Sequence, residues 1–234
     1  RNKIIDAYIL QGEYFREFMY LNSPWLIEWI KTNLYEEDYL RNAFMGGYLF
    51  NPPIKLKSNI FPKILSHYEA FINTMGEITG NTRIGLFNHL MVYYINDYID
   101  LDSNSILVKF LKSSNYNLIN EFIKHISFSK NNFKSIEKNI LEDKILNLWD
   151  FVLKIYKEFN DKDSKKIKSN LLNLIQLFEN IDDKLANMMI ISANSMVDEV
   201  GSDLIFRELK RIVEENKETL KTDKIGKFLA TILQ

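Results

Sequence analysis

All four prolines, Pro24, Pro52, Pro53 and Pro62, lie within the first 62 residues of a 234-residue chain. Proline removes a backbone donor and clashes with the preceding turn, so beyond Pro62 nothing of that kind interrupts a helix. The apolar spacing uses this freedom. Leu171, Leu172, Ile175 and Phe178 fall at helical intervals, as do Leu185, Met188, Met189, Ser192 and Met196. Ile145, Leu148, Trp149, Val152 and Tyr156 continue the pattern through a long segment starting near Ser135. Strict alternation over five or more residues is rare, and no Asn-Gly or Asp-Gly pair marks a hairpin. The spacing predicts an all-α chain of about ten to twelve helices.

Local signals place several helix starts. Ser23-Pro24 reads as an N-cap followed by proline at the first helical position. Asn59 precedes a helix from Ile60 to Met75, with Pro62 in its first turn and Gly76 as terminator. Asn81 reads as the cap of Thr82 to Asp97, Ser202 as the cap of a helix through Glu215, and Thr222 as the start of the last one. Connections of about two to six residues favour antiparallel neighbours packed in sequence order. Successive helix pairs of about 35 to 50 residues match irregular HEAT- or TPR-like units, with a compact bundle as the alternative. The first 98 residues hold 19 of the 31 aromatics, which suggests an aromatic-rich subregion 1–98 and a helical-repeat subregion 99–234, or one continuous domain.

Composition bounds the function. A 46% hydrophobic, 26% charged chain of this length can bury a full core, and a net charge of −1 supplies no field toward nucleic acid or anionic membrane. The absence of cysteine excludes disulfides, thiolate nucleophiles and Cys-containing zinc sites, and fits a reducing cytoplasm. Lysine outnumbers arginine by 24 to 6, and asparagine and isoleucine are abundant, as in the proteins of AT-rich genomes. A start at Arg1 reads as a piece of a longer protein.

No constellation completes a catalytic, cofactor or metal site. Asp100-Leu-Asp102-Ser-Asn104 opens like a calcium loop, but Ser105 stands where glycine is needed and Leu111 where the bidentate glutamate is needed. It reads instead as an acidic turn capping the segment from Ser105. Gly76, Gly80 and Gly85 lack the lysine and hydroxyl of a phosphate loop, and read as a flexible inter-helix connection. His67, His89 and His125 lack metal-ligand spacing, and His89 reads as a partly buried core or interface residue. Glu36-Glu37-Asp38 and Asp182-Asp183 read as acidic helix starts, and the run Lys162, Lys165, Lys166 and Lys168 as a solvated one. Trp25 and Trp29 share a helix face at i, i+4. Such a stripe is usually core but, where exposed, supplies interface anchors.

Three stretches carry a family resemblance. They are Leu40 to Ile72, ending Pro62-Lys-Ile-Leu-Ser-His-Tyr68-Glu-Ala-Phe-Ile72; His89-Leu-Met-Val-Tyr-Tyr94 with Ile99-Asp-Leu-Asp102 and Leu107-Val-Lys-Phe110-Leu; and Leu146-Asn-Leu148-Trp149 with the segments through Ala186 to Ile212. Their order resembles the C-terminal helical region of large bacterial STAND-type NTPase antiviral defence proteins. The resemblance implies a sensor array whose binding of a viral protein triggers assembly. The NTPase and effector segments of that family are not among these residues, and none of its functional residues transfers to this chain.

These readings converge on a non-enzymatic, cytoplasmic protein-interaction region without cofactor. Trp25, Trp29, Tyr35, Tyr39, Asn51, Lys55 and Lys57 are the candidate partner-binding residues. Two alternatives remain. An all-α hydrolase would use His89 with scattered carboxylates gathered in one pocket. An RNA-binding array would need Lys109, Lys112, Lys124, Lys130, Lys134 and Lys138 on one face.

Overall fold

The computed structural model describes residues 2–34, 37–56, 59–74, 80–133, 136–157, 161–179 and 181–195. Among these the chain is all-α, with eleven α-helices and two short 3-10 segments. None of the helices is long and apolar enough to cross a membrane. The chain divides into two compact units, Arg1–Ser114 and Asn115–Gln234. The division falls after the break expected at residue 98, because the helix Ile106–Ser113 packs on two helices of the first unit.

The first unit comprises α1 (Asn2–Glu13), α2 (Phe15–Leu21), α3 (Ser23–Asn33), α4 (Asp38–Phe50), α5 (Phe61–Asn73), α6 (Asn81–Ile95) and α7 (Ile106–Ser113). Helix α4 is its centre and packs against α1, α5 and α6. Glycines set how closely. A Cβ on Gly12 of α1 would run into the carbonyl of Phe44, and one on Gly47 of α4 into the carbonyl of Ile9. Gly85 meets the carbonyl of Leu49 in the same way, so it is a packing residue inside α6 and not part of a loop. Close backbone approach lets Phe44, Tyr48 and Leu49 sink fully into the core beside Leu86, Leu90 and Tyr93. Helix α6 buries residues all round its circumference, as expected of a helix with neighbours on several sides.

The caps correct two expected starts. The side chain of Asn22, not Ser23, accepts the first free N–H of α3, from Trp25 at 3.1 Å; the Ser23 hydroxyl turns back to donate to the Met19 carbonyl at 2.6 Å. Asparagine wins because its amide oxygen reaches the third residue on while Pro24 sits within the first turn. At α6 the cap is Gly80, with φ 67°, a backbone conformation open to glycine and strained for a residue with a Cβ; Asn81 is already helical. Helix α6 ends at Ile95, short of the expected Asp97, which itself lies at φ 59°. Helix α5 keeps Pro62 in its first turn, as expected, but runs Phe61–Asn73 with Ile60 as its N-cap and Thr74 as its C-cap, shorter than the expected Ile60 to Met75; Met75 and Gly76 lie outside the described residues.

The second unit comprises α8 (Tyr116–Phe128), a 3-10 turn at Lys130–Phe133, α9 (Lys138–Ile155), α10 (Lys162–Asn170), a 3-10 segment at Leu171–Leu177 and α11 (Asp183–Ala193). Side chains of Asn115, Asp161 and Asp182 cap α8, α10 and α11, accepting from the N–H groups of Leu118, Ser164 and Leu185 at 2.9, 2.9 and 2.7 Å. The helical spacing at Leu171–Phe178 resolves into the tighter 3-10 form. Leu171, Leu172, Leu174, Ile175 and Leu177 are all buried, and α8, α9, α10 and α11 all pack on the segment. With apolar residues on every side, packing sets its hydrogen-bond register. Helix α9 starts at Lys138, after the expected Ser135, which lies outside the described residues, as do Met196 and the expected caps Ser202 and Thr222.

Two polar pairs stitch this unit internally. Nε1 of the fully buried Trp149 donates to Ser192 Oγ at 3.0 Å, joining α9 to α11. The Asn170 amide donates to Asn120 Oδ1 at 2.8 Å, joining α10 to α8. The basic run on α10 is only partly a solvated face, because Lys168 is buried where α10 meets the rest of the unit.

Candidate partner-binding surface

Trp25 is the sequence-derived candidate whose environment most resembles an interface anchor. It projects from the first turns of α3 with 44% of its surface exposed. Its ring is nevertheless held from two sides, by Phe18 of α2 at 5.6 Å and by Trp29 at 6.4 Å between centroids. Trp29 is half-buried against Tyr8 of α1 at 5.5 Å and Phe44 of α4 at 5.6 Å. The i, i+4 spacing therefore yields one residue of each kind: Trp29 faces the core and Trp25 faces outward. Tyr20 and Leu21, at the end of α2, are exposed at 66% and 81%, and the Arg16 guanidinium sits 6.0 Å from the Tyr20 ring. Sequence periodicity did not single out this pair.

The other candidates separate. Tyr39 lies exposed in the first turn of α4, and Lys55 is exposed beyond the helix's far end. The length of α4, roughly 20 Å at 1.5 Å per residue, lies between them. Tyr35 and Lys57 lie outside the described residues. Asn51 is a structural clamp. Its side-chain amide donates to the Glu13 carbonyl at 2.6 Å, and its own carbonyl accepts from His89 Nε2 at 2.8 Å.

His89 is fully buried, deeper than expected, with both ring nitrogens engaged. Because Nε2 must carry the proton given to the Asn51 carbonyl, Nδ1 is the bare nitrogen that accepts from the Tyr68 hydroxyl at 2.5 Å. Burial lowers its pKa to about 4, against the opposing hydrogen bond to Asn51, so the ring is neutral at pH 7. Around it the hydroxyls of Tyr48 and Tyr93 lie 2.8 Å apart. Burial, reinforced by the neighbouring phenols, raises Tyr48 and Tyr68 well above the ordinary phenol value, and burial raises Tyr93 to about 12 against the lowering effect of its hydrogen bonds with Tyr48 and Tyr68. The tyrosines are thus neutral hydrogen-bonding groups in an aromatic core, and among the described residues the partners of the His89 ring nitrogens are Tyr68 and the Asn51 carbonyl, neither a carboxylate.

A solvent-open groove of about 510 Å³ lies along α5, α7 and the turn before α7, lined by Leu65, Glu69, Tyr98, Asp100, Asp102 and Lys109. The ion pair between Lys109 and Glu69, 2.7 Å, crosses it from α7 to α5. Within the turn, Asp100 Oδ1 accepts from the Asp102 N–H at 2.9 Å, so the carboxylate braces the loop and does not cap α7, whose cap residue Ser105 makes no side-chain cap hydrogen bond. Of the six lysines weighed for an RNA-binding face, three are engaged: Lys109 with Glu69, Lys138 with Glu179, and Lys130 with the Gln176 carbonyl at 3.2 Å; Lys112 is exposed and Lys124 half-buried. Lys134 lies outside the described residues.

Compared with family models, characterised proteins and solved structures, the chain matches none of them.

Proposed function

We propose that this chain is a protein-interaction module, an irregular HEAT- or TPR-like array that recognises a protein partner through the α2–α3 face around Trp25. The observation that carries the reading is an exposed tryptophan whose ring is already fixed by Phe18 and Trp29. An anchor ordered before binding loses little side-chain entropy on association, and tryptophan is among the residues that dominate interface energetics. Tyr20 and Leu21 extend the apolar area beside it. Pairing of Lys109 and Lys138 with carboxylates leaves less free positive charge for a phosphate backbone, which favours protein over RNA.

The resemblance to the helical region of STAND-type antiviral defence proteins extends this reading: the module would be the sensor of a larger cytoplasmic bacterial protein, and its ligand a viral protein. The test is capture on the immobilised chain and on its Trp25→Ala variant, from bacterial lysate with and without viral infection. The reading expects one stoichiometric protein held at high salt by the parent chain and lost by the variant, with the variant's thermal melt unchanged. Equal capture by both, or recovery of salt-sensitive nucleic acid alone, overturns it.

A further inference from the structure

We propose that Tyr68 and His89 form a proton-coupled one-electron redox pair, connected to solvent through the rings of Tyr93 and Tyr98. Independent of the interaction surface, the inference rests on two arrangements in the first unit. The first is the proton path. Tyr68 O–H points at the bare Nδ1 of His89, 2.5 Å away, and Nε2–H is already committed to the Asn51 carbonyl. Among the hydrogen bonds of the aromatic core this one joins a phenol to a neutral base; Tyr48 and Tyr93 meet each other, and the Tyr68 hydroxyl, hydroxyl to hydroxyl. The second is the electron path. Ring centroids run from Tyr68 to Tyr93 at 6.3 Å and from Tyr93 to Tyr98 at 5.9 Å, and the half-buried Tyr98 forms part of the groove wall. A second run, through Tyr48, Phe44 and Trp29, reaches the exposed Trp25 in steps of 6.1, 6.1, 5.6 and 6.4 Å.

The co-reactant is a one-electron, outer-sphere oxidant reaching the groove. It takes an electron from the Tyr98 ring, and the hole moves through Tyr93 to Tyr68. A phenol that has lost an electron is a very strong acid, so its proton passes along the existing hydrogen bond to His89 Nδ1. The products are a neutral phenoxyl radical, an imidazolium that still donates from Nε2 to Asn51, and the reduced oxidant. Returning an electron to Tyr68 sends the proton back. No heavy atom moves, and the charge created by oxidation is held on a ring hydrogen-bonded at both nitrogens. Burial keeps the Tyr68 hydroxyl protonated at neutral pH, so a pre-formed phenolate does not offer an alternative route. Tyr68 is shielded from solvent, which protects a radical there from the reactions that quench one on the surface.

The experiment is flash photolysis of the whole chain with tris(bipyridine)ruthenium(II) and persulfate, read by transient absorption and by electron paramagnetic resonance. The expected result is a long-lived neutral tyrosyl signal that forms more slowly in deuterium oxide, disappears in Tyr68→Phe and forms more slowly in Tyr98→Phe. Tyr68→Phe keeps the ring and its packing, and the deuterium comparison needs no substitution, so a folding defect cannot imitate the result. A tyrosyl signal that persists in Tyr68→Phe, or that forms at the same rate in deuterium oxide, overturns the proposal.

Discussion

His89 on α6 donates from Nε2 to the backbone carbonyl of Asn51, 2.8 Å away at the end of α4, and so ties the central helix to its neighbour through a single ring. The same ring accepts from Tyr68 on α5, so three helices share one imidazole. Replacing it with alanine leaves a cavity and strips two buried polar groups of their partner. His89→Ala is expected to lower unfolding free energy by about 3 kcal/mol or more, measured by urea denaturation. Parental stability in that variant would contradict the assigned network.

Adjacent glycines in α4 provide a sharper contrast. Gly46 has open space where a Cβ would be, whereas Gly47 abuts the Ile9 carbonyl. Gly46→Ala is expected to be neutral or to stabilise by about 0.5–1 kcal/mol through helix propensity. Gly47→Ala must push α1 off α4 and is expected to cost about 1–3 kcal/mol, or to prevent folding. Thermal melts of the two variants side by side decide it, and equal shifts would mean that α1 and α4 do not meet at this backbone contact.

The buried histidines make stability depend on pH. Burial lowers His89 to about 4, and burial together with the Arg41 guanidinium lowers His67 to about 4, both from an unfolded value near 6.5. Between those values the unfolded chain binds more protons, so stability is full above about pH 6.5 and is lost as pH falls toward 4. For the fully buried His89 the loss approaches roughly 3 kcal/mol at about 1.4 kcal/mol per unit. A denaturation midpoint that is flat from pH 7 to 4.5 would refute neutral burial. The slope should shrink in a folded His89→Gln variant.

In the second unit, Ser192→Ala removes the acceptor of the Trp149 indole N–H within a sealed core. The expected cost is about 1–3 kcal/mol for an unsatisfied buried donor. Trp149→Phe, which leaves a cavity in either background, should cost less in the Ser192→Ala background than in the parent, because there it also removes the orphaned donor. A double-mutant cycle with no coupling would show that the hydrogen bond contributes nothing.

Helices were legible because their signals are local. Asp182, read as an acidic helix start, caps α11 with its own side chain, within three residues of the N–H group it satisfies. The burial of Ile145, Leu148, Trp149 and Val152 follows from their spacing on one face of α9. The same reasoning misplaced the α3 cap by one residue, because Asn22 and Ser23 are both good caps and only the backbone path into the helix separates them. It also missed Gly12, Gly47 and Gly85 as packing residues, since the carbonyl each one clears belongs to a different helix.

Of the proposed partner-binding residues, Trp25 and Trp29 were correctly paired by spacing, but which of them faces solvent depends on Phe18, Tyr8 and Phe44. Asn51 drew attention as a loop residue, and its clamp to Glu13 and His89 spans 38 positions in either direction. The sequence by itself determined an all-α chain and the inward faces of its helices, because hydrogen bonding and apolar periodicity act over three or four residues, and it placed the caps of α3 and α6 one residue late. The tertiary structure alone decided the glycine contacts at α4, the neutral Tyr68–His89 pair and the outward turn of Trp25. Each of these depends on which distant groups exclude water from it.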